Sequence, residues 1–345
     1  MNKRKVSLLL SLLLVLGMFL FGCESNIDFL DEDDGNNLLV NFIDVGQGDS
    51  TLIEFPNGET CLIDGGPRSS SEDLIDFLKT KKIEKIDYLI GTHPHEDHIG
   101  GLPEVLKNFK VEKVYLPNKT ANTVIFEDLL KEIKKNDLKI IVGKSGLNIA
   151  DKDGIKFDII APNNENYSNT NNYSIVTKIV YKDFSLLVTG DAERESELEM
   201  VEKGYDLKSK VLKVGHHGSS TSSTSEFLEK VNPDYSIISL GKDNSYGHPH
   251  KEAIERLEQI NTKILRTDEL GTIVIKTDGE NIEILNKIEN DKTVLEGKYF
   301  IGNKNTKVFH SKDCNSLPNK ENQITFKSEE EALKEGYKPH GKCIK

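Results

Sequence analysis

From Leu38 onward the chain alternates short apolar runs with amphipathic ones. Leu38–Asp44, Thr51–Phe55 and Thr60–Ile63 are apolar and rich in β-branched residues, and Pro56-Asn57-Gly58 forms a hairpin turn between the last two. Glu72–Lys81 reads as a helix, Tyr88–Ile90 as a strand, Pro103–Asn108 as a short helix and Lys113–Leu116 as a strand. Val124–Lys135 places its apolar residues at helical spacing. Strands are expected at Ile155–Ile160, Ile175–Tyr181 and Ser185–Val188, with an Asn-rich polar loop, Asn163–Asn172, between the first two. Helices at Glu193–Lys203, Ser223–Val231 and His250–Ile260 then alternate with strands at Val211–Val214 and Tyr235–Ser239. Strands at Lys263–Leu265, Thr272–Thr277 and Asn281–Leu285 close the region. Mixed strands and helices in this order predict a layered α/β domain over residues 38–286. There is no internal repeat.

What lies outside that region differs in kind. Lys3-Arg4-Lys5 precedes an apolar run from Leu8 to Phe21, so residues 1–23 read as an export signal rather than part of the fold. Leu20-Phe21-Gly22-Cys23 resembles a bacterial lipoprotein lipobox, and the resemblance implies cleavage before Cys23 and its lipidation. The expected location is therefore the outer face of a bacterial cell membrane. Residues 24–37 read as a solvated acidic tether and 287–297 as a polar linker to a small segment at 298–345. The net charge of −12 argues against a broad, sequence-independent grip on polyanions, although from Gly297 onward ten Lys face six acidic residues. Of four cysteines, Cys61 sits in an apolar strand and is expected to be a buried thiol.

The chemistry concentrates where strands end. Thr92-His93-Pro94-His95-Glu96-Asp97-His98 follows the strand Tyr88–Ile90 and puts four metal-ligand side chains within six positions. Imidazole nitrogens and carboxylates suit Zn²⁺ and its first-row relatives. Alternate residues of an extended segment point the same way, so His93 and His95 are expected to grip one ion while Asp97 and His98 turn toward a second. Other polar clusters close other strands: Asp44-Val45-Gly46-Gln47-Gly48-Asp49-Ser50, Asp64-Gly65-Gly66, Thr189-Gly190-Asp191 and Gly215-His216-His217-Gly218-Ser219. Tyr246-Gly247-His248-Pro249-His250 lies beyond the strand Tyr235–Ser239.

Together these motifs, in this order, resemble the metallo-β-lactamase superfamily and, more narrowly, the hydrolase domain of ComEC-type competence proteins. The resemblance spans about 250 residues and implies a four-layer αββα sandwich with a metal site at the sheet edge. By resemblance, His93 and His95 bind the first of two divalent metals, Asp97 and His98 bind the second, and Asp191 bridges them. His217 is the late histidine, with His216 as neighbour or substitute. Asp64, Asp44 and Asp49 are expected to support the ligands from behind, although a turn role for Asp49 and Ser50 reads equally well. One departure stands out: most members carry a further first-site histidine before the Thr-Gly-Asp strand, and this chain has no histidine between His98 and His216. Asn171, Asn172 or Ser174 could serve instead, or the first site could fill only with substrate. The metal is Zn²⁺ or Mn²⁺. Asp97 is also a candidate proton acceptor, and His248 a candidate donor to a leaving oxygen, whereas His250 reads as the start of a helix. ComEC-type proteins carry many membrane-spanning helices and this chain shows none, so DNA transport by the chain itself is not expected.

The C-terminal segment holds a second set. His310 and Cys314, then about 25 residues, then His340 and Cys343, have the spacing of a structural zinc site. The segment resembles the metal-binding module of the Ada repair protein, including a helix at Glu329–Glu335. Ada-type methyl acceptance uses the first cysteine of four, and here that position is His310, so phosphotriester repair is not expected. The whole reads as an anchored metal-dependent hydrolase of nucleic-acid phosphodiester bonds, with metal-activated water as nucleophile. The alternatives are a hydrolase of a small ester, lactone or cyclic nucleotide, and a non-catalytic DNA-binding lipoprotein.

Overall fold

A computed structural model of the chain describes residues 37–285 and most of 300–344. The signal, tether and linker readings, Cys23 included, fall outside the described residues. Contacts divide what is described into two units, separated after residue 286.

The larger unit holds two sheets. The first runs through β1 (Leu38–Phe42), β2 (Thr51–Glu54), β3 (Thr60–Ile63), β4 (Lys85–Ile90), β5 (Lys110–Leu116) and β6 (Ile140–Val142) in spatial order, with β14 (Ile273–Thr277) and β15 (Ile282–Ile284) beside β1. The second contains β7 (Leu147–Lys152), β8 (Ile155–Ala161), β9 (Val176–Tyr181), β10 (Phe184–Val188), β11 (Val211–Lys213), β12 (Tyr235–Ile238) and β13 (Lys263–Arg266), again as neighbours in chain order. Each sheet is antiparallel in one half and parallel in the other: β3 to β6 are parallel, as are β10 to β13.

Period-two alternation explains why the sheets stack. Leu38, Val40 and Phe42 point to one face of β1 and meet Phe157, Ile179, Phe184 and Leu186 from the second sheet. The opposite face of the first sheet, through Leu52, Leu62 and Leu89, packs on helix residues Leu74, Leu78, Val105, Leu129 and Ile133. The outer face of the second, through Leu187, Leu212 and Val214, is covered by Phe227, Leu228 and Leu257. Helices Ser71–Thr80, Leu102–Asn108 and Val124–Lys135 thus cover one side, and Arg194–Glu202, Ser225–Val231 and Lys251–Gln259 the other. This is the four-layer αββα sandwich expected from the motifs. Truncating Phe157, fully buried between the sheets, costs about 3–5 kcal/mol by the usual cavity penalty. Cys61 lies in the same core, and burial, with Asp87 nearby, pushes its thiol pKa well up, so it is a packing residue.

Two strands go beyond the sequence expectation. β6 and β7 are sheet edges with little buried surface, so they carry no apolar alternation to read. No helix among the described residues is long and apolar enough to cross a membrane.

The smaller unit is a four-stranded sheet in the order β18 (Gln323–Phe326), β16 (Phe300–Asn303), β17 (Val308–Ser311), β19 (Lys338–Pro339), with helix Glu329–Lys334. Its core is Phe300, Phe309, Phe326, Ala332, Tyr337 and Ile344. Six buried apolar side chains among the described residues are few for an independent fold, and a staple is expected on that ground alone.

Candidate metal centre

The parallel halves of the two sheets end at the same place. β3 delivers Asp64, β4 delivers the His93–His98 loop, β10 delivers Asp191, and β11 delivers His216 and His217. Ligands outside the carboxyl ends of parallel strands are where a sheet can converge side chains from separate loops.

Within the 92–98 loop, His93 and His95 lie in the loop proper, whereas Asp97 and His98 sit in a helical turn, Glu96–Ile99. His93 Nε2 is 2.9 Å from His95 Nδ1, close enough for both to face one ion. The turn carries Asp97 and His98 toward different partners. His217 Nε2 lies 3.3 Å from Asp97 Oδ2 and 3.7 Å from Asp191 Oδ1, and His98 Nε2 lies 3.2 Å from the same Asp191 oxygen. Asp191 Oδ2, in contrast, is 3.7 Å from both His93 Nε2 and His216 Nε2. The two oxygens of Asp191 therefore face two different pairs of histidines, the arrangement a bridging carboxylate requires.

Burial and hydrogen bonding decide whether the group fits a cation. His98 Nε2, His217 Nε2 and Asp191 Oδ1 are all buried and have no hydrogen-bond partner. Orphaned buried polar atoms are costly and uncommon, and here three of them converge, each offering a lone pair once the two rings are neutral. A divalent cation satisfies all three at once, so the donor set fits a metal. The electrostatics agree. Burial disfavours a charged ring, yet Asp191, Asp49 and Asp97 overcome it and push His217 up to about 10. Burial likewise opposes charge on His98, and Asp191, Asp97 and Asp64 raise it well above the usual histidine range. Against burial, His98 and His217 hold the Asp191 carboxyl well below its ordinary value. Protons on these rings do the charge balancing that a cation would otherwise do.

Each ligand is held from behind. Asp64, in a left-handed backbone conformation, accepts from His98 Nδ1 at 2.8 Å, and from Thr92 N and Oγ1 at 2.7 Å each. His98 is thereby turned so that Nε2 faces the centre. His217 Nδ1 sits 2.9 Å from Ser239 O and 3.2 Å from Asp49 Oδ1. Asp49 is buried, and its other oxygen meets the Lys213 ammonium at 2.6 Å. Lys213, fully buried at the end of β11, is the supporting residue that the sequence did not reveal. A lysine closing a three-residue strand looks like any edge cation until the fold shows it inside. Gly48 permits the Asp49 loop to lie here, since a Cβ at that position would meet Asp97 O at 2.3 Å. Ser50 donates to Asp64 O, which makes it a brace. Asp44 is a correction: it is exposed and its carboxylate accepts from Gly46 N at 3.1 Å, so it shapes a turn and supports no ligand.

Residues 43–242 match the family described as Metallo-beta-lactamase superfamily. The chain belongs to that superfamily. Within it, the chain resembles ComE operon protein 3 of Bacillus subtilis, 35% identical over 68% of this chain and 32% of the relative. It is also similar to competence protein ComA of Neisseria gonorrhoeae, at 30% identity over 69% of this chain and 32% of that protein. Recombination protein 2 of Haemophilus influenzae is 31% identical over 71% of this chain and 29% of its own length. The matches span about a third of these relatives. The larger unit is thus a metallo-β-lactamase-fold hydrolase domain, similar to about a third of each of these relatives.

Residues 283–344 match the metal binding domain of Ada. In this module His310 Nδ1, Cys314 Sγ, His340 Nδ1 and Cys343 Sγ form a ring with successive separations of 3.4, 3.6, 3.2 and 3.8 Å. Zn–S and Zn–N bonds of about 2.3 and 2.0 Å meeting at a tetrahedral angle set nitrogen and sulfur roughly 3.5 Å apart, so the four atoms fit one zinc.

Beyond the superfamily ligands, His248 lies beside the centre, its ring centroid 5.5 Å from that of His216 and 6.2 Å from that of His217. Burial, together with His217, His216 and His250, pushes its pKa down to about 4. It is therefore a neutral imidazole at pH 7, able to donate an N–H hydrogen bond but carrying no ionic proton to give away. His250 caps the helix Lys251–Gln259, and its Nδ1 accepts from Ser220 N at 3.0 Å.

Proposed function

We propose that this chain is a lipid-anchored, metal-dependent phosphodiesterase acting on DNA or another nucleic acid. The observation that carries the reading is the split of Asp191, with one oxygen toward His98 and His217 and the other toward His93 and His216. Such a bridge suits a pair of divalent ions, Zn²⁺ or Mn²⁺, with one structural Zn²⁺ in the C-terminal module. Paired ions held by these residues would supply a lowered pKa for water and charge stabilisation for a displacement at phosphorus. The chain's own residues do the rest. His93, His95, Asp97, His98, Asp191 and His217 hold the ions, and Asp64 and Asp49 fix the rings that point at them. Asp97, kept ionised by His98 and His217 against the effect of burial, is a weak base and a good anionic ligand for a cation. His248, neutral, holds a non-bridging or leaving oxygen by its N–H. The competence and recombination names of the relatives favour DNA as the class of substrate.

The net charge of −12 shapes how such a substrate would bind. With 45 basic residues outnumbered by 57 acidic ones, attraction comes mainly from the ions in the site, and affinity should depend weakly on salt and strongly on metal. The test is incubation of the purified chain with labelled single- and double-stranded DNA and Mn²⁺ or Zn²⁺. The reading fails if no metal supports cleavage, or if a His95→Ala/Asp97→Ala protein cleaves equally well. Anchoring through Cys23 is tested separately: a Cys23→Ser chain should leave the membrane fraction and lose lipid labelling, and retention of either would remove the anchor.

A further inference from the structure

The expected third histidine of the first site is missing from the sequence between His98 and His216, and the structure shows what occupies its neighbourhood. Ser174 stands behind His93, its Oγ 3.3 Å from the Nδ1 face of that ring, and it accepts from Asp191 N at 3.0 Å. Asn172 Oδ1 accepts from Glu193 N at 3.0 Å, which fixes the chain leading into the helix Arg194–Glu202. Asn171 Nδ2 donates to Glu193 Oε1 at 3.0 Å. These contacts build the wall of the site, and the two asparagines converge on Glu193.

Glu193 in turn faces His216. Its Oε1 is 3.1 Å from His216 Nδ1, and Asn169 Nδ2 donates to its other oxygen at 2.8 Å. A carboxylate against one imidazole nitrogen leaves the other nitrogen as the metal-facing one, the device by which ligand histidines are oriented. The other nitrogen, Nε2, lies 3.5 Å from Asn171 Nδ2 and 3.7 Å from Asp191 Oδ2, the oxygen that His93 Nε2 approaches at the same 3.7 Å. The backbone supports this geometry. His216 and His217 are successive non-glycine residues in left-handed conformation, with φ of 49° and 53°. In an extended chain adjacent side chains diverge to opposite sides. The two left-handed residues instead let one ring serve Asp191 Oδ2 and the next serve Asp191 Oδ1. Strain of this kind persists where a site over-determines it.

We propose that His216, oriented by Glu193, replaces the missing histidine and completes the first metal site beside His93 and His95. Glu193 is a positioning residue and does not touch the ion. The inference rests on the reading that the centre holds two divalent ions.

The experiment measures bound metal in the full chain by elemental analysis and by calorimetric titration after stripping. The His216→Ala and near-isosteric His216→Gln chains should each lose one equivalent while keeping the melting temperature of stripped wild type. Asp97→Ala should lose a different equivalent, so the His216→Gln/Asp97→Ala double chain should lose both. Glu193→Gln should keep the full count and weaken the first site by about 10–100-fold. The proposal is overturned if His216→Gln retains the wild-type count and affinities, or if Asn171→Ala removes the equivalent that His216→Gln leaves in place. If wild type itself binds only one ion outside the Cys/His module, the two-ion reading falls and this proposal falls with it. That result is distinguishable because it needs no variant.

Discussion

The ligands of the hydrolase centre come from loops spread between His93 and His217, whereas those of the C-terminal module lie between His310 and Cys343. The first set mixes imidazoles with carboxylates, leaves buried nitrogens and an oxygen unpaired, and is backed by Asp64, Asp49 and Lys213. The second closes two imidazoles and two thiols around one point, with no carboxylate among them. A sandwich with a large inter-sheet core folds around its metal site, so that site is free to keep open coordination for chemistry. A module with six buried core residues among those described gains most from a metal staple, and there all four positions are protein ligands. The difference teaches that ligand chemistry follows from how much core stands behind it.

The largest expected effect breaks the comparison on the module side. Cys343→Ser should unfold residues 300–344, since structural zinc supplies roughly 10 kcal/mol or more of folding free energy in such small units. Hydrogen exchange should show lost protection there and unchanged protection in the sandwich; a module that stays protected would make the metal dispensable. On the hydrolase side, Asp191→Ala should abolish the bridge and lower phosphodiester cleavage by about 10³-fold or more, as several kcal/mol of charge stabilisation disappear. The sandwich should keep its hydrogen-exchange protection, and a loss as complete as the module's would mean that this centre too is structural.

Lys213→Met sharpens the contrast further. It leaves the Asp49 carboxylate buried with only histidines for company, at a cost of about 3 kcal/mol, the lower end for breaking a buried pair. Denaturant titration checks it, and an unchanged midpoint would show that Lys213 supports nothing. The smallest effect concerns pH. His217, pushed up to about 10, must shed a proton to bind a metal, whereas burial and His98 hold His93 well below the usual range, so it has none to lose at pH 7. With His98 raised as well, each ring gives up a proton, so affinity of the Asp97/His98/His217 half should rise by up to about a hundredfold per pH unit from neutrality upward, while the His93/His95 half stays flat. For metal-free protein the sign is fixed by the same group. Its raised pKa contributes stability that is complete below the ordinary histidine value of 6.5 and lost as pH climbs through about 10. Melting temperature of the stripped chain should fall over that window, and a rise would contradict the assignment.

Most of the centre was legible because its residues are unusual where they stand. Three histidines and an aspartate in 93–98, and adjacent histidines at 216–217, have no common packing role, and each follows a readable apolar strand. What escaped was ordinary by type. Lys213 and Glu193 are charged residues at element ends, a position where most charges are simply solvated. Asp44 and Asp49 share one motif, and only the turn decides that the first faces solvent and the second a buried ammonium. β6 and β7 were missed because edge strands bury too little to impose alternation.

The sequence by itself determined the alternation of strands and helices, the donor types available for metals and the Cys/His staple of the module, because those depend on local periodicity and on side-chain chemistry. The tertiary structure decided which oxygen of Asp191 faces which histidine, that Lys213 is buried against Asp49, and that His216 stands at the gap in the first site. Those are outcomes of bringing the carboxyl ends of two separate sheets to one edge, where distances of 2.6 to 3.3 Å are set by layer packing between residues 93 to 164 positions apart in the chain.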